Sequence, residues 1–421
     1  MGLSSLAAAF GLLSLAAAQH PGNITEVHPS LTTYHCTKAG GCTAKEVAVV
    51  LESSKRAVYQ VNAPSYGCGT QGAAPNITAC PDVETCQENC VMQGISDYST
   101  VGVTTDGSSI TLIQLDANLN KITPRVYLLS TEDGEQSYEM FNLLGQELAF
   151  EVDVSKLPCG MNGALYMIEM EENGGKDSIN TGGARYGTGY CDAQCYVQPF
   201  INGKANIDAY GSCCNELDIW EANDRATQLA PHTCNQTGLY QCSGAECGKG
   251  GVCDHSGCAF NPYLEGNHSF YGVGSGNTVD TSRPFTVVTQ FPTDENGVLT
   301  EFRRLYVQDG NIILNAAVTL SSYPRVNVID DEYCEYAGGS EFLRLGATQG
   351  MGEAMARGMV LSMSVWWDNS TYMAWLDGGS AGPCSATEGT PANITATQPD
   401  TAVTFSNIKW GEINSTFAKC K

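Results

Sequence analysis

Positively charged side chains are scarce in this chain of 421 residues. It holds 21 Lys and Arg against 45 Asp and Glu, a formal net charge of −24 at pH 7. Nucleic acids and anionic membrane surfaces bind proteins through basic faces. The composition therefore argues against both partners and suits a neutral polymer; the alternative is that the acidity serves only to keep the protein soluble.

Long apolar runs are missing after the first 18 residues. A helix needs about 20 apolar residues to cross a bilayer, and no later uninterrupted run reaches that length. Residues 1–18 carry no charge and end in Ala16-Ala17-Ala18, a small-residue cleavage site. We interpret 1–18 as a secretory signal peptide, with a buried N-terminal helix as the alternative, and expect no membrane partner.

No Pro/Ser/Thr-rich linker interrupts residues 19–421, which are predicted to form a single domain without an appended module. The sequence also lacks Gly-x-Ser-x-Gly, His-Glu-x-x-His and phosphate-binding loops. Enzyme classes built on those motifs therefore lose most of their weight. No metal and no cofactor is expected.

Cysteine, in contrast, is abundant, with 19 residues. That number suits a disulfide framework in an oxidising compartment. Zinc at Cys191-x3-Cys195 and Cys213-Cys214 is a weaker interpretation, because adjacent cysteines are awkward tetrahedral ligands. The odd cysteine is assigned to Cys420. Seven Asn-x-Ser/Thr sequons also indicate secretion, at Asn23, Asn76, Asn235, Asn267, Asn369, Asn393 and Asn414.

Short β-prone segments recur between turn signals, several with period-two alternation. They predict an all-β fold of two packed antiparallel sheets. Helical signals are few, and the best short candidates lie at 81–87 and 352–357. The acidic run 330–332 is predicted to be a solvated loop rather than a calcium site. The predicted strands are 109–113, 125–129, 148–154, 285–291 and 359–366.

Three carboxylates crowd into the apolar segment from Glu216 to Glu221, where charge is costly unless it is paired or partly protonated. On a strand Glu216 and Asp218 share a face, whereas Glu221 points away. A one-residue bulge would bring Glu221 back to that face. The two glutamate Cα atoms would then lie about four ladder steps, roughly 13 Å, apart. Side chains leaning inward could close this to around 5 Å, which favours a retaining over an inverting glycosidase.

The string Cys213-Cys214-Asn215-Glu216-Leu217-Asp218-Ile219-Trp220-Glu221 resembles the signature of glycoside hydrolase family 7, the secreted fungal cellulases. Residues 32–37, 186–195 and 358–366 resemble that family too, so the similarity covers nearly all of the chain after about residue 19. The resemblance implies a jelly-roll β-sandwich, similar to the legume lectins, with a cleft that binds β-1,4-glucan. It also implies that the domain is catalytic and that the four cysteines at 191, 195, 213 and 214 cross-link the segment that carries the glutamates.

Residue roles follow from the same resemblance. Glu216 is expected to be the nucleophile, Glu221 the acid and base, and Asp218 a hydrogen-bond partner of Glu216. Trp366 and Trp375 are expected to stack on sugars on either side of the cut bond, whereas Trp367 packs in the core. His232 is expected beside the catalytic pair. The side chains expected to line the cleft and hydrogen-bond sugar hydroxyls are Asp192, Gln194, Asn162, Tyr166 and Arg125.

Internal cutting is favoured because residues 201–206 reach Gly211 almost immediately, without the extra loop of tunnel-forming cellobiohydrolases. Two departures from the family predict weaker sugar binding. Residues 52–57 are expected to weaken the distant glycone subsites, and Leu264 is expected to weaken the hold on the leaving sugars. The alternatives are an exo-acting cellobiohydrolase and a glucan-binding lectin without catalysis. The protein is expected to be a secreted monomer.

Overall fold

The computed structural model describes residues 20–319 and 326–417. The signal-peptide assignment for 1–18 and the odd cysteine Cys420 lie outside these ranges. The strands are β1 His20–Pro21, β2 Ser30–Thr37, β3 Gly41–Leu51, β4 Val58–Gln60, β5 Ala63–Gly67, β6 Cys90–Met92, β7 Val103–Asp106, β8 Ser109–Ile113, β9 Arg125–Ser130, β10 Met140–Phe141, β11 Gln146–Lys156, β12 Met161–Ile168, β13 Phe200–Ile201, β14 Lys204–Ala205, β15 Gly211–Cys213, β16 Glu216–Ala222, β17 Thr227–His232, β18 Tyr240–Cys242, β19 Tyr271–Gly272, β20 Val279–Asp280, β21 Phe285–Gln290, β22 Phe302–Gln308, β23 Asn311–Leu314, β24 Val328–Ile329, β25 Met359–Trp367 and β26 Ala402–Glu412. The α-helices are α1 Val83–Asn89, α2 Asp331–Tyr336, α3 Ser340–Leu345, α4 Ala347–Arg357, α5 Ala374–Asp377 and α6 Pro391–Thr397.

One hydrogen-bonded ladder runs through the molecule in the order β17-β16-β12-β25-β9-β3-β2-β26-β11-β21-β22-β23. Its neighbours are antiparallel except for the parallel pair β2 and β26. The ladder folds back on itself, because Trp220 of β16 packs edge-on against Phe150, Phe285 and Tyr306 of β11, β21 and β22, with ring centroids 5.9–6.5 Å apart. We call β17, β16, β12, β25 and β9 the inner layer and β11, β21 and β22 the outer layer. The predicted β-sandwich is confirmed.

Alternation along the inner strands separates two faces. Leu165, Met167 and Leu217 point toward the outer layer and are fully buried in the main core. Their neighbours in sequence point to the opposite face, which we call the site face. The apolar side chains of both layers thus fix which residues the site face presents.

All five predicted strands are present, with ends within two residues of those expected. The helix expected at 81–87 begins two residues later, and the one expected at 352–357 begins five residues earlier, at Ala347. The prediction of a solvated loop at 330–332 was wrong. Asp330 caps α2 by accepting the backbone N–H of Tyr333 at 2.8 Å, and Asp331 accepts from Thr348 of α4. Acidic groups favour a helix N-terminus because of its dipole, which explains why these residues start a helix.

Nine disulfides join the 18 cysteines of the described ranges. The pairs are 36–42, 68–90, 80–86, 159–384, 191–214, 195–213, 234–253, 242–247 and 258–334.

Six sequon asparagines are exposed, and Asn267 is half-buried, its amide donating to the carbonyl of Ala317 at 2.7 Å. No helix among residues 20–319 and 326–417 is both long and apolar enough to cross a membrane.

Candidate active site

Strand β16 contains the bulge that the sequence required. Against β12, the step from Leu165 to Met167 spans two residues, while the matching step on β16, from Trp220 to Leu217, spans three. The register with β17 shows the same extra residue between Asp218 and Glu221. Ile219 and Trp220 are adjacent in sequence, yet both are buried in the main core. The bulge therefore lies at these two residues and turns Glu221 back to the site face.

The register also sets the spacing of the two glutamates. Glu216 pairs with Ile168 and Glu221 with Ala164, four residues apart on β12. Tyr166 lies between these partners on the same face. The expected separation of about four ladder steps is thus the observed one.

Most of the predicted site residues lie on this face. Their Cα pairings place His232 beside Glu216, Gln228 beside Glu221, and Trp366 beside Asn162. Arg125 of β9 lies two strands from β12, across from Ser364. Five neighbouring strands therefore contribute one continuous polar and aromatic surface.

Both glutamates are held by neutral donors. Glu221 accepts the Nδ2 of Asn162 at 2.8 Å and the Nε2 of Gln228 at 2.7 Å, one on each carboxylate oxygen. Glu216 accepts the backbone N–H of Ala193 at 2.9 Å. The relative exposures of Glu216 and Glu221 are 5% and 7%. They are nearly dry, yet each keeps an opening to the surface.

Asp218 pairs with histidine rather than with Glu216. His232 Nε2 lies 3.1 Å from Asp218 Oδ2, and His232 Nδ1 lies 2.9 Å from the carbonyl of Asp254. The predicted hydrogen bond between Asp218 and Glu216 is not among the contacts of the described residues. Two carboxylates can share a hydrogen bond only when one is protonated, whereas an imidazolium offers a donor directly.

Burial and mutual repulsion determine the protonation of this cluster. Burial first, and then Asp218, raise the pKa of Glu221 to about 8. Burial, Asp218 and Asp192 raise the pKa of Glu216 well above its usual value. Burial opposes a charge on His232, but Asp218 and Glu216 outweigh it and raise the pKa of His232 to about 10. The cluster thus holds an imidazolium and retains carboxyl protons that exposed acids would have lost.

The loop 191–195 lies against Glu216. Disulfides from Cys191 to Cys214 and from Cys195 to Cys213 fasten it to the residues just before β16. This confirms the expected cross-links. Asp192 is 1% exposed, and burial raises its pKa to about 6. Gln194 is half-buried in the same loop.

Arg125 and Tyr166 form a second polar group on the site face. Arg125 is ion-paired through Nε to the buried Glu52, donates from Nη1 to the hydroxyl of Tyr166 at 3.3 Å, and stacks 3.6 Å from the ring centroid of Tyr190. Burial disfavours the ionised form of Glu52, yet the charges of Arg125 and Lys55 lower its pKa. The charge of Arg125 is therefore largely neutralised inside the protein.

Two tryptophans lie together at the Asn162 end of the site face. The rings of Trp366 and Trp375 are 6.3 Å apart and inclined by 31°. Trp366 is half-buried and Trp375 is 40% exposed, whereas Trp367 is buried in the core, as expected. Two rings this close together suit contact with neighbouring units of one polymeric ligand.

Sequence reasoning missed Gln228 and Glu52, and it gave Asn162 a different contact. Gln228 alternates with Ala230 and His232 along β17, so the period-two pattern that runs back from His232 could have found it. Glu52 precedes β9 by more than 70 residues, and no local pattern links it to Arg125. The amide of Asn162 is engaged with Glu221, because the two side chains lie on neighbouring strands of the same face.

Glycoside hydrolases use a pair of carboxylic side chains that flank the bond to be cleaved. The site face of this β-sandwich carries such a pair in Glu216 and Glu221. Comparison with known proteins agrees. The chain belongs to glycosyl hydrolase family 7, whose model matches residues 21–417. Endoglucanase 1 of Pyricularia oryzae is 55% identical over 410 residues, 96% of each chain.

Solved structures give the same result. The native endocellulase EGI of Humicola insolens superimposes with a TM-score of 0.92 at 52% identity, over 94% of this chain and 99% of that one. A family 7 cellobiohydrolase from Daphnia pulex gives 0.86 at 38% identity, over 94% and 99%. The protein is therefore a glycoside hydrolase with the family 7 fold.

Proposed function

We propose that this protein is an endo-β-1,4-glucanase that hydrolyses internal bonds of cellulose and related β-glucans with retention of anomeric configuration. The observation that carries the proposal is the placement of Glu216 and Glu221 on one face, four ladder steps apart. Relatives that match nearly the whole chain at 50–55% identity bear the names endoglucanase or endo-β-1,4-glucanase.

The reaction uses two displacements. A carboxylate oxygen of Glu216 attacks the anomeric carbon, the glycosidic C–O bond breaks, and the leaving oxygen takes the proton of Glu221. Glu221 then accepts a proton from water, whose oxygen attacks the same carbon and releases Glu216. The raised pKa of Glu221, about 8, fits a group that must carry a proton at the start of the cycle.

Glu216 must be ionised at the same moment. Burial and the carboxylates of Asp218 and Asp192 raise the pKa of Glu216, whereas His232 and the Ala193 N–H favour its charged form. Because the His232 imidazolium lies against Asp218, it also offsets the carboxylate that, after burial, raises the pKa of Glu216 most. Asp218 thus acts as a positioning group through His232, and Asp192 adds a further carboxylate on the loop side.

Sugar binding is assigned to the remaining residues of the face. Trp366 and Trp375 present flat rings on which the apolar C–H faces of glucose stack. Tyr166, Gln194 and Arg125 supply polar groups for hydroxyls. Asn162 and Gln228 position Glu221 through its two carboxylate oxygens.

Internal cutting is favoured by the short connection between Ile201 and Gly211. It forms only the hairpin of β13 and β14, with no long excursion over the site face. We expect the viscosity of a soluble cellulose derivative to fall rapidly with few new reducing ends. Cellobiose release with little change in viscosity would instead indicate exo-action.

The catalytic assignment is tested by Glu216→Gln, with Glu151→Gln on β11 of the outer layer as a matched control. We expect Glu216→Gln to lower turnover by several orders of magnitude with an unchanged circular dichroism spectrum, and Glu151→Gln to retain activity. The anomer released first, followed by proton NMR, should have the configuration of the substrate. Near-normal turnover in Glu216→Gln, or an inverted product, would refute the mechanism.

The same proposal covers location and assembly. The disulfide framework, the sequons and residues 1–18 support a secreted enzyme with a signal peptide and a single catalytic domain at 19–421. We propose a monomer whose partner is the polysaccharide, with neither nucleic acid nor membrane as a ligand. Analytical sedimentation of the secreted protein tests whether it is a monomer.

A further inference from the structure

Arg304 is a buried cation between the two layers. It lies on β22, is 3% exposed, and shares its inward face with Phe302 and Tyr306. No carboxylate of residues 20–319 or 326–417 forms an ion pair with it. Burial accordingly lowers its pKa. An unpaired buried charge is costly, so a purely space-filling role would suit an apolar side chain better.

The guanidinium reaches across the core to the bulge of β16. Its Nη2 donates to the carbonyl of Ile219, and its Nε donates to Thr289 Oγ1 at 3.0 Å. The guanidinium carbon lies 5.7 Å from the ring centroid of Trp220. Arg304 therefore contacts both residues of the bulge from the outer layer.

Ile219 lies where the ladder of its own sheet is interrupted. It has a Cα partner on neither β12 nor β17, because the register on both sides skips it. A buried carbonyl left without a donor is unfavourable. Arg304 supplies a donor to the Ile219 carbonyl, at the residue where the ladder is broken.

The position of the bulge determines which side chains reach the site face. Side chains alternate with period two, so loss or displacement of the extra residue would turn either Glu216 or Glu221 toward the core. We infer that Arg304 is a positioning residue that fixes the bulge at Ile219–Trp220 and thereby the relative geometry of the two glutamates. This inference rests on the proposed function of those glutamates.

The test compares Arg304→Met, which keeps length but removes the donors, with Arg304→Lys, which keeps one. Kinetics are measured on aryl β-cellobiosides of graded leaving-group pKa. A displaced Glu221 is a poor acid, and good leaving groups need little acid assistance. For Arg304→Met we expect kcat to fall about 100-fold on the poorest leaving group but less than about 10-fold on the best, with KM nearly constant. Arg304→Lys should recover at least about tenfold of the loss.

Phe285→Leu is the control for general damage to the core. Phe285 packs 5.9 Å from the Trp220 ring but lacks a polar group for the Ile219 carbonyl. Phe285→Leu should lower the thermal stability, while the dependence of kcat on the pKa of the leaving group should remain as in the wild type. If Arg304→Met shows the same dependence as Phe285→Leu, or wild-type kinetics, the inference is wrong.

Two further measurements separate the possible failures. Should Arg304→Met not fold, Thr289→Val removes the acceptor that orients Arg304 and must show the same leaving-group pattern, in weaker form; a wild-type pattern there overturns the inference. Failure of the proposed function has a different signature, since the wild-type enzyme would itself fail to cleave the cellobiosides, or Glu216→Gln would remain active.

Discussion

Replacing Glu221 by glutamine should stabilise the protein, and should do so far more at pH 8 than at pH 5. The folded protein holds a proton on Glu221 up to about pH 8, whereas the unfolded chain releases it near 4.5. Between these values the folded state binds more protons than the unfolded state. Its stability therefore falls as pH rises through this window.

The size of the effect follows from the two pKa values. At 1.36 kcal/mol per pKa unit, ionisation of Glu221 in the unfolded chain costs the wild-type fold about 4 kcal/mol at pH 8 and under ~1 kcal/mol at pH 5. Glutamine resembles the protonated acid and escapes this loss. Any mismatch with the amides of Asn162 and Gln228 is the same at both pH values. The difference between the two conditions, roughly 3.5 kcal/mol, is thus the quantity to measure.

Urea unfolding with intact disulfides, followed by tryptophan fluorescence, measures this at pH 5 and pH 8. Glu295→Gln, at an exposed turn, is the control and should show no such difference. If Glu221→Gln changes the free energy of unfolding equally at both pH values, or destabilises the protein more at pH 8, the carboxyl is not protonated in the fold and the reasoning fails.

Three other predictions concern the same surface. Because Glu221 must be protonated, kcat/KM should decline as pH rises through about 8, and a profile still flat at pH 9 would contradict its role. Trp366→Ala should raise KM about tenfold on cellooligosaccharides with a smaller effect on kcat, since a half-covered ring is worth on the order of 1–1.5 kcal/mol; an unchanged KM would remove Trp366 from the binding surface. Substituting Cys191 and Cys214 by alanine should cost roughly 3 kcal/mol of stability, measured by urea unfolding, and should lower kcat. The same change at Cys36 and Cys42, which close a short loop elsewhere, should leave kcat unaffected.

The sequence alone could predict the strand that carries Glu216 and Glu221, because its acidic residues do not fit the two-residue alternation of a regular strand. Three acids in an apolar segment need a shared polar face, and period two denies that face to Glu221 unless a residue is inserted. The bulge at Ile219–Trp220 is the only change of register that β16 shows against its neighbours. Local patterns of this kind sufficed for the strands, whereas the disulfides of the loop 191–195 were expected from the family resemblance.

The contacts around the site were harder to predict, because they join distant parts of the chain. Glu52 meets Arg125, and Arg304 meets Ile219, over sequence separations of 73 and 85. Alternation does place Arg304 on the buried face of β22 with Phe302 and Tyr306. Nothing in the sequence shows which carbonyl it reaches across the core.

Charge balance in the cluster links the buried site to the acidity of the whole chain. Asp192, Glu216, Asp218 and Glu221 meet a single imidazolium, that of His232, so ionisation of every carboxyl would leave a net charge of −3 in a nearly dry site. Protons must therefore remain on part of the cluster, and the raised pKa values express this. The ion pair between His232 and Asp218 removes one charge at the centre. The proposed mechanism then requires that the remaining ionised carboxylate be Glu216 and that Glu221 keep its proton. The expected loss of activity above about pH 8 thus follows from how the site is packed, and the surface charge contributes only at longer range.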